Sequence, residues 1–181
     1  RIYGADPSKL QIEPGMTEAD AKKNACSDSV LKLNFGKNNS LQAKQIIQAS
    51  EAAGYTPIAY SLELAGNDFP SKQGNNYIIL ASDGQESCGG DPVAVVNALK
   101  AKGINIVVHT IGFGVDEIAR KQLEAVAKAG NGQYYSADNA VELKESFVKI
   151  TQEFQEVRQM KGEAKDFFLK GGEVVPGSSY D

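Results

Sequence analysis

The run Tyr77-Ile78-Ile79-Leu80-Ala81, followed at once by Ser82-Asp83-Gly84, constrains this chain more than any other segment. A short apolar run with β-branched residues and no polar alternation predicts a strand buried on both faces, as in a parallel sheet. A carboxylate and a glycine at the carboxyl end of such a strand stand where open α/β sheets place their ligands. Asp83 is therefore a candidate functional carboxylate on position alone.

The segments that follow repeat the pattern. Asp91-Pro92 supplies an N-cap and a first-turn proline for a helix that ends at Lys102-Gly103. Residues 104–111 form a second β-branched run, closed by Gly112-Phe113-Gly114. Asp116 caps a further helix, stopped by Gly130 and Gly132, and Gln133-Tyr134-Tyr135-Ser136 reads as a short strand. Asn139 with Glu142 resembles a capping box for the last helix. The order β-α-β-α-β-α means parallel strands joined by right-handed crossovers. The expected fold is α/β, a doubly wound, mostly parallel sheet flanked by helices.

Upstream, Thr17 and Asp20 predict a capped short helix over 17–25, and residues 29–35 alternate as a half-exposed edge strand. Residues 41–53 read as a helix ended by Gly54, and 57–67 as a helix with Pro57 in its first turn. Near the other end, Leu143, Phe147, Ile150, Phe154, Val157, Ala164 and Phe168 fall at three- and four-residue spacings. That stripe predicts a helix packed on the sheet, or one that runs past the domain onto another domain or chain. Residues 170–172 and 176–179 have linker composition. The reading is one domain over 1–160, with a helix extension and linker over 161–181.

A net charge of −4 gives no basic face for nucleic acid. No apolar run approaches the ~20 residues of a membrane helix, and the opening Arg1-Ile2-Tyr3-Gly4 carries no signal-peptide pattern. Two cysteines, Cys26 and Cys88, and one histidine, His109, are too few for a zinc site of Cys/His type. The cysteines are either bonded or two free thiols; spacing alone leaves that open. There is no G-x-x-x-x-G-K-[ST] loop and no G-x-G-x-x-G after a strand. No nucleophile, base and orienting group occur together, so the chain is expected not to be an enzyme.

Several linked segments resemble bacterial von Willebrand factor A domains. Gly54-Tyr55-Thr56-Pro57-Ile58 is similar to their "GxTPI" segment, and Ser82-Asp83-Gly84-Gln85-Glu86-Ser87-Cys88-Gly89-Gly90-Asp91-Pro92 to their "SDGxESCGGDP" segment. Ile106 to Gly114 and Ala129 to Tyr135 continue the likeness in order, and Arg1 to Gly4 resembles the end of that fold's second strand. The resemblance implies a Rossmann-like sheet with a metal-ion-dependent adhesion site, a MIDAS, at its carboxyl edge. Thr56 matches the family's threonine ligand and Asp83 its last aspartate. The ion implied is Mg²⁺, or Mn²⁺ or Ca²⁺, all hard cations that take oxygen ligands. A carboxylate of a protein partner would complete the shell, giving an adhesion or protein-binding module. The competing reading is a metal-free scaffold for assembly within a larger protein. Glu86 and Asp116 lie on loops at the same edge and are candidates for the rim of the binding surface. In the resembling group both cysteine segments lie in loops near this edge. That implies a Cys26–Cys88 disulfide and an exported protein: extracellular, cell-surface or periplasmic.

The sequence departs from the family in one respect. The D-x-S-x-S loop is absent: Asp6-Pro7-Ser8-Lys9-Leu10 ends in a leucine, and Asp28-Ser29-Val30 lacks matching serines. The family's first strand and first helix are missing with it. That strand lies mid-sheet, and unpaired buried backbone groups cost about 1–3 kcal/mol each. The expectation is that residues upstream of Arg1 supply the strand and the remaining ligands; the alternative filler is another chain or residues 173–175. On Thr56 and Asp83 alone, metal binding is expected to be weak or absent. The plain structural roles are a helix-entry cap for Thr56, a strand-end carboxylate bonded to loop N–H groups for Asp83, and a packed, hydrogen-bonded His109.

Overall fold

In the computed structural model, which describes residues 1–160, 167–170 and 173–176, the opening apolar run is a strand paired on one side only. The elements in chain order are β1 (Ile2–Tyr3), α1 (Glu18–Ala25), β2 (Ser29–Val30), α2 (Ser40–Gln48), α3 (Ile58–Asp68), β3 (Asn76–Ser82), α4 (Pro92–Ala101), β4 (Ile106–Phe113), α5 (Glu117–Ala129), β5 (Asn131–Ala137), α6 (Ala140–Met160), β6 (Phe167–Lys170) and β7 (Glu173–Pro176). The central sheet is parallel, in the order β3-β4-β5. Residues 76–82 of β3 lie opposite 106–112 of β4.

Alternation along β3 splits the core between two faces. Ile78 and Leu80 join Ile58 and Leu62 of α3, Val96 and Leu99 of α4, and Leu123 and Val126 of α5. Ile79 faces the other way, onto a smaller cluster of Ile111, Ala137 and Ile150 under α6. Helices thus cover both faces, as the buried apolar runs require. The parallel α/β architecture is the one expected from the sequence. Gly132 has a steric reason beyond stopping a helix: a Cβ there would stand 2.1 Å from the Val108 carbonyl oxygen.

The caps of α1, α4 and α5 are as read. Thr17 and Asp20 form the capping box of α1, while Asp91 and Asp116 cap α4 and α5 through the N–H groups of Ala94 and Ala119. Asn139 Oδ1 accepts from Val141 and Glu142 N–H, and the Glu142 carboxylate accepts from the Asp138 N–H and the Asn139 side-chain amide, where a capping box would use the Asn139 N–H. Two upstream elements differ from expectation. The helix read over 41–53 ends at Gln48, because Ala53 leaves to make a parallel bridge with Ala5. The strand read over 29–35 pairs only at Ser29 and Val30, since its partner β1 is two residues long. Residues 173–175, considered as a filler for the sheet, lie in β7, which pairs antiparallel with β6. The rest of 161–181 lies outside the described residues.

The outer edge of β3 faces a groove of about 650 Å³. Tyr77 to Ala81 line one side, and Arg1, Tyr3, Leu31, Leu33 and Phe35 the other. This is the place where the sequence reading sets a further strand. The Tyr3 hydroxyl donates to the Ala81 carbonyl at 3.2 Å, and Arg1 pairs with Asp68 of α3. Ser61, 6% exposed, lines the same groove with a hydroxyl that has no hydrogen-bond partner among the described residues.

Candidate functional site

Three loops meet at the carboxyl edge of the sheet: 53–57 before α3, 83–91 after β3, and 114–116 after β4. Asp83 is the first residue beyond β3 and is exposed, while Thr56, half-buried, precedes Pro57 at the start of α3. A Cβ placed on Gly84 would lie 3.9 Å from Thr56 Oγ1, so the two loops are in contact beside Asp83. Ser87 fastens them twice: its hydroxyl accepts from the Thr56 N–H at 2.8 Å, and its own N–H donates to the Thr56 carbonyl at 3.2 Å. Thr56 makes no side-chain cap on α3, which leaves its hydroxyl out of that role.

Glu86 takes the capping role instead. Its carboxylate accepts from Ala59 N–H, in the first turn of α3, at 2.7 Å and from Cys88 N–H at 2.7 Å. An anion at a helix N-terminus satisfies orphan donors and meets the positive end of the helix dipole. The Glu86 N–H in turn donates to Gln122 Oε1 of α5 at 2.7 Å. This carboxylate therefore holds the 83–91 loop to α3 rather than standing free on a rim. Asp116 is exposed, and one of its oxygens is used in capping α5.

The cysteines are bonded to each other, Cα to Cα 5.5 Å, which joins the 83–91 loop to the end of α1. Two residues beyond Cys26, Asp28 is 4% exposed and accepts from the N–H groups of Ala5 and Asp6 at 2.7 and 2.9 Å. The bridge and these two bonds bring the amino-terminal segment to the same edge. Sequence reasoning missed the roles of Glu86 and Asp28, since both depend on backbone N–H groups 22 to 27 residues away. An acidic residue shortly after a strand end or a cysteine was the only available signal.

The donor chemistry at this edge, one hydroxyl and one carboxylate, suits a hard cation. The number of donors falls short of a self-sufficient site. Among the described residues no group of three or more His, Cys, Asp or Glu side chains is placed to hold a metal ion. His109 lies mid-strand in β4, opposite Ile79, 3% exposed, and Nδ1 accepts from Gln133 N–H at 3.3 Å, as a packed histidine should.

Comparison with known proteins agrees with the fold. Residues 27–149 match the model of the von Willebrand factor type A domain. Two uncharacterized proteins of Bacillus subtilis (strain 168) are relatives. YwmD is 37% identical over 105 residues, covering 57% of this chain and 47% of that protein. YwmC is 36% identical over 98 residues, covering 53% and 42%. The chain spans about half the length of the relatives it matches. Solved structures share the fold. An aerotolerance-related membrane protein from Bacteroides fragilis is 22% identical, with a TM-score of 0.51, over 66% of this chain and 70% of that one. Proximal thread matrix protein 1 of the mussel byssus, whose MIDAS motif is occupied by zinc, is 23% identical, with a TM-score of 0.51, over 66% and 31%.

Proposed function

Since the chain belongs to the von Willebrand factor type A family, we propose that it is a protein-binding module whose ligand face is the carboxyl edge of its sheet. The observation that carries this reading is the contact between the Thr56 and Asp83-Gly84 loops, fixed by Ser87, Glu86 and the disulfide. Thr56 Oγ1 and the Asp83 carboxylate would hold two positions of a divalent metal, Mg²⁺ by preference, with Mn²⁺ or Ca²⁺ as substitutes. A polypeptide segment seated in the groove beside β3 would bring the remaining oxygens. A metal held by few carboxylates stays electrophilic, and an acidic side chain of a protein partner would bind to it. The binding reading is preferred to an enzymatic one because the single histidine is buried mid-strand in β4 and bonded to the Gln133 N–H. The disulfide supports an oxidising, extracytoplasmic setting. No helix among the described residues is long and apolar enough to cross a membrane.

Calorimetric titration with Mg²⁺ and Mn²⁺ tests the reading, on these 181 residues and on the polypeptide extended upstream. The extended protein should bind more tightly, and Thr56→Ala and Asp83→Ala should each weaken it about tenfold or more, the loss of one charge-assisted contact. If neither substitution changes binding, the metal site is not here. The scaffold reading has its own observation: Val141 and Val148, seven residues apart on α6, are 66% and 45% exposed. It predicts no metal response and association through α6.

A further inference from the structure

A second cavity, of about 240 Å³, lies at the amino end of the sheet, where β3, β4 and β5 begin and α6 passes over them. It is smaller than the ~300–1,000 Å³ typical of drug-sized ligands. The buried His109 lines it together with Glu153 of α6. Because Nδ1 accepts from the Gln133 N–H, the ring proton sits on Nε2, which makes the imidazole a donor and bars it from ligating a metal there. Burial holds His109 below the usual histidine range, with Glu153 opposing in part, so the ring is neutral near pH 7. Nε2 lies 3.8 Å from Glu153 Oε2, too far for a hydrogen bond. Glu153 Oε1 accepts from the Tyr135 hydroxyl, which leaves Oε2 with spare lone pairs.

The cavity therefore presents one N–H donor and one carboxylate acceptor across a gap that a single hydroxyl spans, accepting from Nε2–H and donating to Oε2. One wall is aromatic, with the Tyr77 and Phe154 rings 4.0 Å apart between centroids. Asn105 and Asn131 bring amide groups to the lining. The Asn131 side chain is itself held by the Lys100 ammonium, which also donates to the Ala129 carbonyl.

We propose that this cavity binds a neutral polyhydroxylated ligand of monosaccharide size, one hydroxyl bridging His109 and Glu153 and the ring's apolar face lying on Phe154 and Tyr77. The site is independent of the carboxyl edge. Amide proton–nitrogen NMR spectra of the chain, titrated separately with glucose, galactose and N-acetylglucosamine, test it. At least one sugar should give saturable shifts confined to residues 75–77, 105–109, 131–133 and 153–154. Glu153→Ala should weaken that binding about tenfold, the share of one hydrogen bond to a charged group. Asn105→Ala should weaken it less, and Asp83→Ala should leave it unchanged. The proposal is overturned if no sugar saturates by tens of millimolar, if the shifts map elsewhere, or if Glu153→Ala binds as well as the parent chain. Saturable shifts with acetamide but none of the sugars would overturn it equally.

Discussion

Replacing both cysteines by serine should remove much of the stability of this domain. The bridge joins positions 62 residues apart. In the chain-entropy account, closing such a loop takes about 14 cal/mol/K from the unfolded ensemble, which is about 4 kcal/mol at 25 °C. Whole domains are stable by only ~5–15 kcal/mol. With a urea dependence of about 2 kcal/mol per molar, the midpoint of unfolding should fall by about 2 M in the Cys26→Ser/Cys88→Ser protein. Far-ultraviolet circular dichroism against urea reads this directly, and the oxidised protein with and without reductant gives the same comparison without substitution. Hydrogen exchange adds a local reading: the Ser87 and Cys88 N–H groups, bonded to Thr56 and Glu86, should lose protection first. A midpoint shift below about 0.5 M would refute the reasoning. It would mean that other contacts of the amino-terminal segment already restrict the unfolded chain as strongly as the bridge does.

Glu86→Ala leaves the Ala59 and Cys88 N–H groups without their carboxylate and should cost about 2 kcal/mol, with Glu86→Gln costing less; a thermal melt that moves by under a degree would show that water replaces it. His109 is depressed in the folded protein, so its contribution is fully present above the unfolded value of about 6.5 and is lost as pH falls below it toward the folded value. Urea midpoints should therefore drop between about pH 7 and pH 5, and a His109→Asn protein should lose that slope. The carboxylates of Asp6, Asp20 and Glu117, held low mainly by hydrogen bonds to Ser8, Thr17 and Arg120, act only in a more acidic range.

What was legible in the sequence was local or periodic. Asp91 and Asp116 announce helix starts because a cap acts within three residues, and the β3 run announces a doubly covered strand because no polar residue interrupts it. The failures are places where distant partners decide. Ala53, bridged to Ala5, ends α2 early; nothing near it in sequence shows that partner. Leu31, Leu33 and Phe35 alternate like a strand, yet they line the groove because β1 has no length left to pair with them. At the candidate site, Asp83 was singled out by its place at the end of a buried strand and Thr56 by motif likeness. Glu86 was assigned to the same edge, but its capping bond depends on where α3 begins, and the Tyr135–Glu153–His109 cluster depends on how α6 crosses the sheet.

Arg1, Tyr3, Leu31, Leu33 and Phe35 form a flap along the groove, and it also bears on how the protein behaves at high concentration. An unpaired strand edge is a template on which copies of a protein stack into aggregates. Here Tyr3, Leu31, Leu33 and Phe35 stand in front of that edge, and the flap is pinned by Arg1 to Asp68 and by Tyr3 to Ala81. A second sheet cannot lie against β3 without lifting it. Pairing of two copies edge to edge would first have to break those two contacts.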